Sequence, residues 1–138
     1  MRMKWDKLKP EDWEAFAADW LQELRATEPN EEANLNQTVV LMNFTASAEA
    51  QWQFILAAIG QAQSDDDLGH VAAGPLEHLL GRHGSEFIGR VEQQAAQDLK
   101  FARTMTGVWK YMMSDEVWSR VEAIKKSVSD PLQPSPEQ

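Results

Sequence analysis

Leu68-Gly-His-Val-Ala-Ala-Gly-Pro-Leu-Glu-His-Leu-Leu-Gly-Arg-His-Gly84 holds all three histidines and four of the seven glycines of the 138-residue chain. It also carries the internal Gly74-Pro75 pair, and blocks of helical period lie on both sides of it. A residue before proline is pushed out of the α region. The expectation is therefore a short helix ending near Ala73, a second opening at Pro75, and a stop at Gly84 in the left-handed conformation. On the second helix Leu76, Leu79, Leu80 and His83 share one face. The stretch reads as an elbow between an N-terminal and a C-terminal set of helices.

Working outward, the N-terminal side begins with a basic lead-in, Arg2, Lys4, Lys7 and Lys9, with Trp5 among them. Pro10 suits the first turn of a helix. Trp13, Phe16, Ala17, Trp20, Leu21 and Leu24 then recur at the 3.6-residue period. Pro29 and Asn30 end that helix. Val39-Val-Leu-Met42 is compatible with a buried strand, but no second strand exists to pair with it, so residues 34–44 read as helix. Ser47 is an N-cap for a helix striped by Trp52, Ile55, Leu56 and Ile59. These two are expected to form an antiparallel hairpin. Ser64-Asp-Asp-Asp67 is the next start signal.

On the C-terminal side, Ser85 is an N-cap candidate before Phe87, Ile88, Val91 and Ala95. Asp98 caps a helix through Phe101 and Met105, and Gly107 weakens its continuation. Ser114 opens a last helix striped by Val117, Trp118, Val121, Ile124 and Val128. The expected fold is all-α: a compact bundle of about seven or eight short antiparallel helices, helical-repeat-like in its pairing although no fixed-period repeat is present. Residues 1–128 read as one domain and 129–138, with Pro131, Pro134 and Pro136, as a flexible tail.

Composition narrows the function classes. Thirteen basic residues against 22 acidic ones give a formal net charge of -9. That disfavours nucleic acid and anionic membrane as partners and favours a basic protein. With no Cys there is no disulfide, thiolate metal site or Cys nucleophile. No signal-peptide pattern opens the chain and no apolar run is long enough to span a bilayer, so a soluble, cytoplasmic, bacterial-type protein is expected.

No motif singles out an activity. His70, His78 and His83 lie 8 and 5 residues apart, not the four that puts two ligands on one helical face, so no metal site and no cofactor is expected. Asp65-Asp66-Asp67 lacks the later Glu of a calcium loop and reads as a cap. Ser85 lacks a nucleophile elbow, and the glycines lack the Lys-Ser/Thr of a phosphate loop. Glu77 is the residue of most interest. It either contacts Arg82 or Arg90 of its own chain or anchors a basic side chain of a partner. Arg82 and Arg90 are then the positive rim of that corner. Trp13, Trp20, Trp52, Trp109 and Trp118 read as core. Trp5 has no periodic companion and is either a staple onto the first helix or an exposed contact residue.

His70-Val-Ala-Ala-Gly-Pro-Leu-Glu-His-Leu-Leu, His83-Gly, Phe87-Ile-Gly-Arg-Val-Glu92, Phe101-Ala-Arg, Gly107-Val-Trp109 and Asp115-Glu-Val-Trp118 together resemble a bacterial family of uncharacterised domains, DUF6869, over roughly residues 65–125. The resemblance implies an α-helical bacterial domain with Gly74, Pro75, Leu76, Glu77, His83, Gly84 and Trp109 as recurring positions. It carries over no catalytic residue. The functional expectation is a non-enzymatic protein–protein interaction module, immunity- or antitoxin-like, that masks a basic surface. Trp5, Glu77, Arg82 and Arg90 are its candidate binding residues. The alternative is a small enzyme at the Gly74–Gly84 corner using Glu77 and His83, which requires the two side chains to converge.

Overall fold

A computed structural model describes residues 5–26 and 34–133. The lead-in residues Arg2 and Lys4, the terminator around Pro29 and Asn30, and the tail prolines Pro134 and Pro136 lie outside the described residues. The described residues are helical with no strand, so Val39–Met42 is helix. The helices are α1 (Pro10–Arg25), α2 (Leu35–Thr45), α3 (Ala48–Gln61), α4 (Asp65–Val71), α5 (Glu77–Gln97), α6 (Leu99–Met105) and α7 (Asp115–Ser127). A 3₁₀ turn, Trp5–Lys7, precedes α1, and a π turn, Ala72–Leu76, joins α4 to α5. Because that join is continuous, the described residues form six separate α-helical runs rather than seven or eight. The chain divides into two compact units, Met1–Ala62 and Gln63–Gln138.

In the first unit α1 is the organising element, since both α2 and α3 pack on it. The expected hairpin of α2 against α3 is thus replaced by two helices sharing one partner. The reason is local to α1. Its Glu23 carboxylate accepts the free N–H groups of Leu35 (3.1 Å) and Asn36 (2.8 Å) at the start of α2. Trp20 Nε1 donates to Asn36 Oδ1 at 3.1 Å. Orphan N–H groups at a helix start need such acceptors. The apolar stripe of α1 buries Trp13, Ala17, Trp20 and Leu21 as its period requires. Phe54 of α3, fully buried, meets the rings of Trp13, Phe16 and Trp20 at 6.3, 5.3 and 5.3 Å.

In the second unit Ser64 caps α4, its hydroxyl accepting the N–H of Asp67. The Gly74-Pro75 pair does not break the helix. Pro75 lacks an N–H and its ring crowds the preceding turn, and widening that turn to a π turn accommodates both effects. The i−5 bond of the wide turn runs from the Glu77 N–H to the Ala72 carbonyl. Gly74 has no Cβ to meet the proline ring, which removes part of the clash that disfavours the α region before a proline.

Gly84 is not a stop either. It sits inside α5, and a Cβ there would lie 3.0 Å from Val117 of α7. The helix kinks one residue earlier, at His83 (φ -131°, ψ 24°), beside the Gly84-Ser85 pair. Ser85 is therefore an interior residue, whereas Asp98 and Ser114 cap α6 and α7 as expected. Residues 130–133, expected as tail, are tied down. Arg103 Nε donates to the Asp130 carbonyl (2.8 Å), Leu132 N to Thr106 Oγ1 (3.0 Å) and Gln133 N to Asp65 Oδ2 (3.0 Å).

Candidate functional site: the loop after α6 and the cleft beside it

The segment between α6 and α7 begins at Gly107, where a chain turn meets close neighbours: an added Cβ would lie 3.1 Å from both Ala72 and Leu132. Val108 then plunges into the core, fully buried. That anchor forces its neighbour outward. Trp109 is 70% exposed, and Tyr111 (54%) and Met112 (72%) follow it into solvent. Trp109 is therefore not a core residue. Of the other four tryptophans read as core, Trp13, Trp20 and Trp52 are buried and Trp118 is half-buried.

Two side chains clamp a single peptide group, the one joining Val108 to Trp109, at the base of this loop. Glu77, the first residue of α5, accepts the Trp109 N–H at 3.2 Å. Lys125 of α7 donates to the Val108 carbonyl at 2.6 Å. The Lys125 ammonium also lies 4.8 Å from the Trp109 ring centre and 5.3 Å from that of Trp118, within cation–π range. Burial dominates both titrations. It pushes the Glu77 carboxyl up against the opposing influence of the Trp109 N–H and Lys125, and it pulls the Lys125 ammonium down against Glu122 and Glu77. A third contact fixes the middle of the loop, because Gly81 of α5 leaves only 2.6 Å between the position of an added Cβ and the Tyr111 carbonyl. Met112 has φ 58°, the left-handed region that disfavours a side chain. An exposed apolar residue held in that conformation marks a loop shaped by its surroundings.

Behind Trp109 the second unit has an open cleft of about 530 Å³. Asp65, Asp66 and His70 of α4 line it together with Thr106, Trp109 and Leu132. Asp65 is committed: Arg103 reaches both its oxygens at 2.9 Å, which holds its carboxyl below the usual range. Asp66 and His70 are exposed and four residues apart, hence on one face of α4. The stretch Leu68–Gly84 contains no such pair, because the carboxylate partner stands two residues before it.

The corner residues disperse. Among the described residues Glu77 makes no hydrogen bond to His83: the first faces the Trp109 loop, and the second is half-buried at the kink. Arg82 and Arg90 are exposed on α5, Arg90 with its guanidinium 4.9 Å from the Phe87 ring centre. The cation acting on Glu77 is Lys125 rather than either of them. Trp5 is buried, stacked on Trp13 at 6.0 Å and close to Phe16 at 5.7 Å, so it is the staple onto α1. Asp67, read as part of a cap, accepts the Gln63 N–H at 2.8 Å. Sequence reading missed Lys125 as a site residue and the exposed Tyr111 and Met112. The available signal was Gly107, which weakens a helix whose near-helical spacing otherwise runs on from Phe101 and Met105 through Val108 to Met112.

Among the described residues no helix is long and apolar enough to cross a membrane. A family model described as a family of unknown function, DUF6869, matches residues 22–128. The match reaches into α1, well beyond the stretch 65–125 in which the likeness is easiest to see. No curated protein and no solved structure matches the chain.

Proposed function

We propose, for a chain that belongs to the DUF6869 family of unknown function, a protein–protein interaction role in which the Trp109–Met112 loop is the contact element. The observation that carries this reading is the combination of exposure and fixation. Three large side chains stand in solvent on a loop that Glu77, Lys125 and Gly81 hold in one shape. Aromatic and Met side chains on a preorganised surface are the usual anchors of a protein interface, since little ordering remains to be done on binding.

The net charge of -9 favours a basic partner, with faster encounter at low salt. An acidic masking protein of the immunity or antitoxin kind, in a bacterial cytoplasm, has these properties. Affinity capture from the native host tests the reading, comparing the wild-type chain with a Trp109→Ser/Tyr111→Ser/Met112→Gly variant at two salt concentrations. A basic protein retained by the wild type, lost by the variant and weakened by salt supports it. An identical set of retained proteins for both chains removes it.

A further inference from the structure

We propose that the cleft behind Trp109 receives an arginine side chain of the partner. This rests on the interaction role of the loop and adds the chemistry that the loop selects. The cleft volume of about 530 Å³ exceeds one side chain, so it takes a short segment rather than a lone ion.

One of the two carboxylates on its lining is unspent. Of the nearby cations, Arg103 has both Asp65 oxygens and the Asp130 carbonyl as acceptors, and Lys125, against the Trp109 ring, donates to the Val108 carbonyl. Asp66 remains as an exposed carboxylate on the lining. An anionic ligand meets both Asp65 and Asp66 and finds the nearby guanidinium already occupied.

The indole on the lining selects among cations. Trp109 contributes an exposed indole to the lining, and Thr106 stands beside it. A guanidinium is planar and weakly hydrated. It stacks on indole while pairing a carboxylate through two parallel N–H bonds, whereas an ammonium stays a hydrated point charge. His70, one turn after Asp66, borders the same site.

The test is a titration of the ¹⁵N-labelled full chain with the peptide acetyl-Gly-Arg-Gly-amide, followed by backbone amide shifts. The citrulline counterpart serves as the neutral isostere. Saturable shifts confined to residues 66–73 and 106–109 are expected, absent with citrulline. Asp66→Asn is expected to raise Kd about fivefold and Trp109→Leu about threefold. Equal shifts with citrulline, or a response spread over the acidic surface and unchanged in Asp66→Asn, overturn the proposal. The two readings fail differently. If Tyr111→Ser/Met112→Gly loses the basic partner while Asp66→Asn keeps it, the cleft assignment falls and the loop stands. If the peptide titrates through Asp66 but the loop variant keeps every partner, the loop role falls and the cleft stands.

Discussion

Replacing Gly81 with alanine should destabilise the protein even though it improves a helix. Gly81 and Gly89 are both interior to α5. Alanine in place of glycine in a helix interior contributes roughly 1 kcal/mol of stability. At Gly89 nothing lies within 4 Å of the new Cβ, so that gain should be realised. At Gly81 the Cβ would sit 2.6 Å from the Tyr111 carbonyl oxygen and 3.3 Å from the Met112 Cβ. A carbon–oxygen contact settles near ~3.3 Å, so the loop backbone must retreat by about 0.7 Å. Forcing such an overlap in a packed site costs about 2–3 kcal/mol. The net expectation is a loss of about 1–2 kcal/mol for Gly81→Ala against a gain of about 1 kcal/mol for Gly89→Ala. The comparison cancels helix propensity and isolates the seating of the loop on α5. Urea denaturation followed by far-ultraviolet circular dichroism measures both, and each kcal/mol corresponds to a melting shift of about 3–4 °C. If Gly81→Ala proves as stabilising as Gly89→Ala, the loop is not seated on α5 and its fixed shape loses its foundation.

Other expectations follow from the same contacts. Glu77→Ala should speed hydrogen exchange of the Trp109 amide by about tenfold, because its acceptor is gone; an unchanged rate refutes the clamp. Burial raises the folded-state pKa of Glu77, so the folded chain binds the proton more tightly than the unfolded one. Its contribution to stability is therefore fully present at acid pH and is lost as pH rises from the ordinary glutamate value through the raised one. Subtracting the pH profile of Glu77→Gln from that of the wild type should show this decline, and a rise in that window would contradict the burial of the carboxyl. Met112→Gly should leave stability unchanged or higher by about 1 kcal/mol, since the left-handed conformation no longer opposes a side chain. Trp5→Ala should cost about 3 kcal/mol and alter the near-ultraviolet dichroism of the stacked Trp5–Trp13 pair; a silent substitution would mean the staple is not formed.

Much of this architecture is written in local chemistry. The stripe Trp13, Ala17, Trp20, Leu21 has one buried face at the helical period, and that face is the one buried. Ser47, Ser64, Asp98 and Ser114 cap helices because a short side-chain oxygen satisfies a free N–H from its own sequence neighbourhood. The resemblance to DUF6869 is likewise carried by residues in order along the chain. Local signals failed where the deciding atom belonged to another element. Gly74-Pro75 and Gly84 carry the marks of a break and a stop, yet the first is absorbed in a π turn and the second is the gap that admits Val117. Gly81 gives no local hint that its missing Cβ seats the Tyr111 carbonyl. Trp109 has the hydropathy of a core residue and is driven outward because Val108 took the interior position. Glu77 stood out from its flanks, but its partners, the Trp109 N–H and Lys125, lie 32 and 48 residues downstream. Helix type, caps and the anionic character follow from the sequence alone, because period, capping and charge act over a few residues or sum over the whole chain. The clamped loop and its cleft exist only in the tertiary structure, because exclusion of side-chain volume between distant helices decides which groups meet.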